Sequence, residues 1–192
     1  MTTTVEEKID KIFNLYNDYG SVEYMGQSIT HLEHALQTAY FARAQGYDNV
    51  VVTAALLHDI GHLIGLKYDF EIMGNFGIKN HEKIGADWLR DMDMSETTCL
   101  LIEKHTQARR FIVTTSPEYY DNLSETSKEI LKLKGDLMTE NELEEFRSNE
   151  LKPALIVLSI WDEKSKMKNK SVPSLESYRK AIRLSFRRIN LK

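Results

Sequence analysis

The stretch Ala54-Ala55-Leu56-Leu57-His58-Asp59-Ile60-Gly61-His62 places two histidines and an aspartate at the end of a run of small apolar residues. Such a run predicts a buried helix, which would bring His58 and Asp59 into the core. Burying an unpaired carboxylate is costly, so Asp59 should stay ionised there only beside a cation or within a hydrogen-bond network. We interpret these residues as metal ligands. A core histidine followed by a loop aspartate is the alternative on this stretch alone.

His58 and Asp59 are adjacent, which limits how they could bind a metal ion. On a continuous helix their side chains would point about 100° apart and could not both face one small ion. Two metal ions with Asp59 between them would remove this difficulty.

The composition indicates one domain without a strong charge bias. The chain has 192 residues, of which 42% are hydrophobic, and a formal net charge of -4. Its isoelectric point is near 5.9, so nucleic acid is not expected as a partner. Cys99 is the only cysteine, which excludes an intramolecular disulfide and fits a reducing cytosol.

Two segments bear on localisation. Residues 1–10 are polar and acidic, unlike a secretory signal. The apolar segment 154–161, the longest that we identify, is too short to span a bilayer. We therefore expect a cytoplasmic protein that has no membrane partner and is a monomer or a weak dimer.

Apolar residues recur at helical spacing along most of the chain, and strand-like alternation never persists beyond four residues. The predicted fold is all-α, with residues 1–192 forming a single domain whose core covers about 20–165. Helices are predicted over 4–18 and 30–46, from 48 into the stretch quoted above, from 81 through 89, over 95–113, 124–134, 139–148 and 151–166, and from 174 onward.

Three regions of this prediction are more specific. Residues 65–80 are rich in glycine and are predicted to form a loop lying over the ligands. Residues 114–124 are predicted to be a turn-rich link. The last helix, which includes Arg188, has a basic face that we interpret as solvated, with an anionic partner as the alternative.

Four histidines lie inside or at the start of predicted helices with apolar flanks, and Asp162 follows Trp161 in an apolar run. Helices of a bundle can direct such side chains to a common point. Taken singly, each histidine is more often a core or surface residue, but the joint pattern weakens that interpretation. The candidate metal ligands are His34, His58, Asp59, His81, His105 and Asp162.

The order of these residues resembles the HD-domain superfamily, in particular its dinuclear members, over residues 20–165. The resemblance implies a helical bundle in which the four histidines and two aspartates hold two metal ions, with Asp59 bridging them. Most members are phosphohydrolases, whereas a small branch uses the same ligands for iron and dioxygen.

Three features resemble the phosphonate-cleaving members of the mixed-valent di-iron oxygenase branch. They are the loop Tyr24-Met25-Gly26-Gln27, the segment His105-Thr106-Gln107-Ala108-Arg109, and His62. The resemblance implies two iron ions, Fe(II) and Fe(III), with O2 as co-substrate. It also implies that Tyr24 occupies one iron at rest and that Tyr24 and His62 are catalytic residues that contact the substrate.

The remaining candidate residues would bind an organophosphonate. Arg109 lies four residues after His105, hence on the same helix face, and its guanidinium could bind a phosphonate bidentately. Ser127 could add a hydroxyl and free backbone amides. Gln27 stands where the family has a glutamate that meets the substrate ammonium, and Ile130 where a threonine is expected. The alternatives are a surface charge for Arg109, a helix cap or further ligand for His62 and a simple cap for Ser127.

The expected function is oxidative cleavage of the C–P bond of a small 1-hydroxyalkylphosphonate, such as 2-amino-1-hydroxyethylphosphonate or an N-substituted analogue. The products would be phosphate and a carboxylic acid such as glycine. The alternative is a dinuclear phosphohydrolase of nucleotides or phosphomonoesters. A binding module without activity is disfavoured because no ligand of the pattern is missing.

Overall fold

A computed structural model of the protein describes residues 3–187, and within this range the chain is an α-helical bundle with isolated β-bridges but no extended strand. The all-α prediction is therefore confirmed. The helices are α1 (Val5–Tyr19), α2 (His31–Ala44), α3 (Asn49–Leu57), α4 (Ile60–Tyr68), α5 (His81–Asp91), α6 (Glu96–Thr115), α7 (Pro117–Asp121), α8 (Glu125–Leu133), α9 (Glu140–Arg147), α10 (Lys152–Lys164) and α11 (Arg179–Leu184). Short 3-10 helices cover Gly74–Phe76 and Leu175–Tyr178.

The start of α2 is fixed by a capping box. The Glu33 backbone N–H donates to the Thr30 hydroxyl at 3.2 Å, and the Thr30 N–H donates to the Glu33 carboxylate at 2.7 Å. These reciprocal bonds satisfy two amides that a helix start leaves free. They hold the first turn of α2, which carries His31 and His34, in place.

Helices α3 and α4 form the centre of the bundle. Residues Ala54, Ala55, Leu56 and Leu57 are fully buried, and α3 packs against α2, α6 and α11. The helix breaks between Leu57 and Ile60, and Asp59 at the break has φ -104° and ψ 10°. This break gives the Asp59 side chain a direction that a continuous helix would not.

The segment Asn49–Tyr68 is long and apolar enough to cross a membrane by length and composition alone, yet 78% of its most apolar window is buried inside the protein. The apolar segment Asn49–Tyr68 has 20 residues and is longer than residues 154–161. The prediction that residues 154–161 are the longest apolar segment was therefore wrong. The burial of Asn49–Tyr68 identifies it as the core helix pair of the bundle.

Residues 65–80 form a shorter loop than predicted, because α4 continues to Tyr68 and Asp69 ends it with φ 54°. Gly65 lies inside the helix, where a Cβ atom would come within 2.4 Å of the Ile78 side chain. The glycine is thus required by close packing and does not end the helix.

Helices α4 and α5 approach each other very closely near the ligands. A Cβ atom on Gly61 would lie 1.9 Å from the His81 carbonyl oxygen, and one on Gly85 would lie 3.1 Å from the Gly61 nitrogen. Only hydrogen fits at position 61, so this contact fixes where α5 begins and hence where His81 lies.

Two other regions differ from their predictions. The link 114–124 contains the short helix α7, which begins at Pro117 as proline favours. The last helix is shorter than predicted, and its basic face is paired rather than merely solvated. Arg183 contacts Glu6 of α1 at 2.6 Å, and Arg179 contacts Asp10 at 3.0 Å. Arg188 lies outside the described residues.

Candidate metal centre and active site

The structure brings all six predicted metal ligands together in the core. His34 comes from α2, His81 from the first turn of α5, His105 from α6 and Asp162 from α10, while His58 and Asp59 occupy the break between α3 and α4. All six side chains are buried. Five separate segments of the chain therefore contribute to one cluster.

Asp59 lies between two groups of histidines. Its Oδ2 atom is 3.4 Å from His58 Nε2 and 3.6 Å from His34 Nε2. Its Oδ1 atom is 3.1 Å from His81 Nε2 and 3.6 Å from His105 Nε2. One carboxylate thus presents one oxygen to each pair, as a bridge between two metal ions requires.

Asp162 completes the first of the two groups. Its Oδ1 atom lies 3.4 Å from His34 Nε2 and 3.9 Å from His58 Nε2. The first ligand set is therefore His34, His58, Asp59 and Asp162, and the second is Asp59, His81 and His105.

Backbone carbonyls fix the ring orientation of three ligand histidines. The Nδ1–H groups of His34, His58 and His105 donate to Ser165 O, Ala55 O and Ile102 O at 2.8, 2.9 and 2.7 Å. With the proton on Nδ1, a neutral ring presents the lone pair of Nε2 to the cluster. This is the arrangement that a metal-binding histidine needs.

The distances between facing histidine Nε2 atoms indicate whether a cation fits between them. His34 Nε2 and His58 Nε2 are 3.2 Å apart, and His81 Nε2 and His105 Nε2 are 3.4 Å apart. Unprotonated nitrogens at such distances repel each other unless a cation or a proton lies between them. The donor set of imidazole and carboxylate suits iron and other transition metals.

The pKa values of the metal-free protein also indicate that the cluster is suited to a cation. Burial alone would raise the pKa of both aspartates. The neighbouring histidines nevertheless hold the pKa of Asp59 well below its usual value. The pKa of Asp162 is likewise held well below its usual value, mainly by Arg109. Burial opposes a charge on His58, but Asp59 outweighs it and raises the pKa of His58 to about 9. A proton on His58 thus supplies part of the positive charge that metal ions would bring.

Tyr24 lies against the first ligand set. Its hydroxyl donates to Asp59 Oδ2 at 2.9 Å, and its ring stacks on His34 with centroids 4.0 Å apart. Burial and the nearby Asp59 raise the pKa of Tyr24 well above its usual value. Without a metal ion the side chain is therefore a neutral phenol that occupies the edge of the cluster.

A polar cleft lies beside Tyr24 and contains most of the predicted substrate residues. It is lined by Tyr24, Met25, Gln27, Arg109, Ser127, Ile130 and Lys166. A continuation reaches Asp59, His81, His105, Thr106, Leu131, Lys134 and Asp162. We call these two connected regions, which share Tyr24, Met25 and Arg109, the polar cleft. Gln27, Arg109 and Ser127 are thus brought together beside the ligand cluster.

Arg109 is paired with acidic groups in the absence of a ligand. Its Nη2 atom donates to Asp162 Oδ2 at 2.6 Å and lies 3.3 Å from Glu163 Oε2. Lys166 contacts the same Glu163 oxygen at 2.9 Å. The two cations are therefore held at the cleft by carboxylates, one of which is itself a predicted metal ligand.

The backbone amide of Ser127 is not free, contrary to the expectation from sequence. Its N–H donates to the hydroxyl of Ser124, which is the true cap of α8, at 3.1 Å. The Ser127 hydroxyl itself remains in the cleft and lies 3.2 Å from Glu163 Oε2. Only the hydroxyl is available to an anion.

His62 is placed on the second ligand set and is not among the residues that line the polar cleft. Its ring stacks on His81 with centroids 3.9 Å apart, and Nε2 lies 4.0 Å from Asp59 Oδ1. Its Nδ1 accepts the Ile78 N–H at 3.0 Å, so the proton of the neutral ring is on Nε2. Burial and the nearby His81 lower the pKa of His62 well below its usual value.

Sequence reasoning missed three residues near the cluster. His31 is buried, and its ring meets the Tyr24 ring edge-on at 5.2 Å. Lys134 and Lys166 both line the polar cleft. The spacing of His31 three residues before His34 was an available signal, because such residues share a helix face. The two lysines carried no comparable signal.

Comparison with known proteins identifies the family. The model of the HD domain matches residues 31–167, a range that includes all six candidate ligands. The chain belongs to the HD-domain family. The resemblance inferred from the sequence is thereby confirmed.

Three relatives are similar over most of their length. A protein of Acanthamoeba polyphaga mimivirus, uncharacterized protein L432, is 39% identical over 90% of this chain and 79% of its own. A hydroxymethylphosphonate dioxygenase of Gimesia maris is 33% identical over 93% of this chain and 88% of its own. A [1-hydroxy-2-(trimethylamino)ethyl]phosphonate dioxygenase (glycine-betaine-forming) of Leisingera caerulea is 33% identical over 86% of this chain and 83% of its own.

Proposed function

We propose that this protein is a di-iron dioxygenase that cleaves the C–P bond of a small 1-hydroxyalkylphosphonate. The observation that carries the proposal is the pair of ligand sets joined by Asp59, with Tyr24 on one of them. Two relatives with phosphonate dioxygenase names support the reaction type. We also propose that it acts in the cytoplasm, as a monomer or weak dimer.

Two iron ions would be held by His34, His58, Asp59 and Asp162 on one side and by Asp59, His81 and His105 on the other. When bound, they would supply dioxygen activation and the electrons that the reaction exchanges. Iron is preferred to magnesium because Tyr24 offers a phenol oxygen and four imidazoles complete the donor set.

The overall reaction balances without an added reductant. One hydroxyalkylphosphonate and one dioxygen give one carboxylate, one phosphate and one proton. Carbon loses its bonds to phosphorus and hydrogen, and both oxygen atoms of dioxygen enter the products. The protein must therefore bind a dianion, orient its hydroxyl-bearing carbon and limit access of water.

The residues of the polar cleft suit the first of these tasks. Arg109 and Lys166 provide positive charge, and Ser127 provides a hydroxyl. A phosphonate could take the place of the carboxylates that Arg109 now contacts, with a charge-assisted bidentate pair. Tyr24 would have to leave Asp59 for the substrate to reach the first ligand set.

The head group of the substrate faces Gln27 in this proposal. A neutral amide can hydrogen-bond to an amine or a hydroxyl but cannot balance the charge of an ammonium. Among the residues that line this part of the cleft there is no carboxylate, and two are cations. Hydroxymethylphosphonate is therefore the first substrate to assay, followed by 2-amino-1-hydroxyethylphosphonate and its N-methylated analogues.

The deciding experiment measures phosphate release and oxygen consumption together, using iron-loaded protein and hydroxymethylphosphonate. We expect one phosphate per dioxygen and a coupled Fe(II)/Fe(III) EPR signal that changes on adding the phosphonate. Phosphate release under strict anaerobic conditions, or from a phosphomonoester, would instead identify a dinuclear phosphohydrolase.

A further inference from the structure

His81 differs from the other three ligand histidines in the group that its outer ring nitrogen meets. His34, His58 and His105 each donate the Nδ1–H to a backbone carbonyl. The Nδ1 atom of His81 is buried and has no hydrogen-bond partner in the described part of the chain. It faces the carboxylate of the next residue, with Glu82 Oε2 at 3.4 Å. The outer nitrogen of His81 is thus the one that meets a charged acceptor.

The His81 ring lies between two carboxylates. Its Nε2 atom is 3.1 Å from Asp59 Oδ1 on the side of the cluster, and its Nδ1 atom faces Glu82 on the other side. A neutral imidazole has one N–H, and a metal ion takes the lone pair of the nitrogen that it binds. An ion bound by Nε2 therefore requires the proton on Nδ1, where Glu82 can accept it in a hydrogen bond. An ionised acceptor makes a stronger bond than a neutral carbonyl and raises the basicity of the ring.

Glu82 is held in place by a lysine from a different part of the bundle. Lys134, the residue that follows α8, donates from Nζ to Glu82 Oε2 at 2.6 Å. The Glu82 side chain is 15% exposed and the Lys134 side chain is 12% exposed. Because either charge alone would be uncompensated in this largely buried position, the pair keeps Glu82 ionised and its carboxylate fixed.

The charges of the two ligand sets show why an outer carboxylate matters at His81. Both sets share Asp59, and the first set also contains Asp162. The second set adds only the imidazoles of His81 and His105 to the shared carboxylate. Glu82 supplies a further negative charge one ring away from the second set.

We propose that Glu82 is a positioning residue of the second ligand set, which orients His81 through the Nδ1–H and strengthens the ring as a metal ligand. Lys134 acts on this set through Glu82. The inference rests on the two metal ions of the proposed function but not on the identity of the substrate.

A carboxylate in the first turn of a helix also stabilises the helix start, so the experiment needs a control on α5. Asp87 lies on the same helix and pairs with Lys83 at 2.8 Å and with Arg90 at 2.9 Å. Asp87→Asn and Glu82→Gln each remove the charge of a lysine-paired carboxylate and change its shape little. Only Glu82 faces a ligand histidine.

The experiment titrates metal-free protein with Fe(II) under anaerobic conditions and measures the affinity for each of two ions by calorimetry. We expect the affinity for one ion to fall about tenfold in Glu82→Gln, which keeps an oxygen acceptor, and up to about 100-fold in Glu82→Ala. The affinity for the other ion, and both affinities in Asp87→Asn, should change by less than about threefold. Equal affinities in the unmodified protein and Glu82→Gln overturn the inference.

A double variant separates the role of Glu82 from the cost of an unpaired lysine. Glu82→Gln combined with Lys134→Met leaves no buried charge without a partner, so it should fold even if Glu82→Gln alone does not. We expect it to bind the weakened ion as poorly as Glu82→Gln does. Full affinity in the double variant would assign the loss to the Lys134 charge and overturn the inference.

The oxidation state of the iron gives a readout that a purely structural role would not change. In a redox titration followed by EPR, one of the two Fe(III)/Fe(II) equilibria should shift about tenfold toward Fe(II) in Glu82→Gln, because a weaker donor stabilises ferric iron less. Loss of iron without this shift overturns the inference. Binding of a single ion by the unmodified protein overturns the proposed function as well, whereas two ions that are insensitive to Glu82 overturn only the inference.

Discussion

A second pocket, whose lining includes the apolar residues Val22, Leu66, Ile72 and Ile78, is called the apolar cavity, and it differs from the polar cleft in the charged residues that line it. Arg109, Lys166 and Lys134 line the cleft, whereas Glu23 is the one carboxylate of the cavity and no cation accompanies it. The comparison shows that the cations available to an anionic substrate lie in the polar cleft, which is also the region lined by Asp59, His81 and His105. Substitutions that alter the polar cleft should therefore change the activity toward a phosphonate.

The largest effect is expected at the carboxylate that lies between the two ligand sets. Asp59→Ala removes the only residue shared by the two ligand sets. We expect the protein to lose at least one of two bound metal ions and its activity to fall at least about 1,000-fold. Metal analysis and turnover measure this. Two ions retained by a folded variant would contradict the bridging role, and Asp18→Ala, at an exposed position of α1, is the control.

A substitution at Arg109 should affect the polar cleft alone. Arg109→Met removes a charge-assisted contact to the phosphonate, and kcat/KM for the phosphonate should fall about 100-fold. The KM for dioxygen should stay the same. Arg109→Lys should recover part of the loss, because charge is kept and bidentate geometry is not. Equal loss in both variants would indicate a purely structural role.

The metal-free protein should lose stability at alkaline pH. The pKa of His58 is raised from 6.5 to about 9 in the folded state. The contribution of the protonated His58 to the free energy of unfolding is therefore complete below about pH 6.5 and is lost as the pH rises through about 9. This loss amounts to about 3 kcal/mol. Thermal melts at pH 6 and 9.5 should show this decrease in metal-free protein. Metal-loaded protein should show much less of it.

A substitution at Gln27 should change which phosphonate is preferred. Gln27→Glu adds a carboxylate to the head-group end of the cleft. We expect kcat/KM for 2-amino-1-hydroxyethylphosphonate to rise about tenfold relative to hydroxymethylphosphonate. Competition assays with the two compounds test this. An unchanged ratio would mean that the head group lies elsewhere.

The smallest effect on rate is expected for Tyr24→Phe. This variant keeps the stacking on His34 but loses the hydroxyl that contacts Asp59. Turnover should change less than about tenfold, while any phenolate-to-iron absorption of the resting protein disappears. Tyr16→Phe is the matched control, since Tyr16 is also buried but donates to the Leu56 carbonyl and not to a ligand of the cluster. A visible spectrum unchanged by Tyr24→Phe would exclude phenolate binding.

The parts that could be predicted from sequence depend on local rules. The capping box of Thr30 and Glu33 determines where α2 begins, and from there helical periodicity directs His34 inward. The buried carboxylates of Asp59 and Asp162 were recognisable because each lies in an apolar run. Such features require no knowledge of the rest of the fold.

The parts that could not be predicted depend on contacts between distant segments. His62 is held on the second ligand set by the Ile78 amide, sixteen residues away. The Ser127 amide is taken by Ser124, and the choice between two nearby serines as the cap was not decided by spacing. Lys134 reaches the cluster through its ion pair with Glu82 at 2.6 Å, a contact that only the packed helices reveal.

The contact between Gly61 and the His81 carbonyl has a consequence for the geometry of the second ligand set. Because position 61 admits no side chain, it works as a spacer that sets how far the imidazole of His81 stands from the Asp59 bridge. Even one added methyl group would clash with the first turn of α5 and displace His81 from its position beside Asp59. A glycine that binds nothing thereby sets the position of a histidine that belongs to the second ligand set.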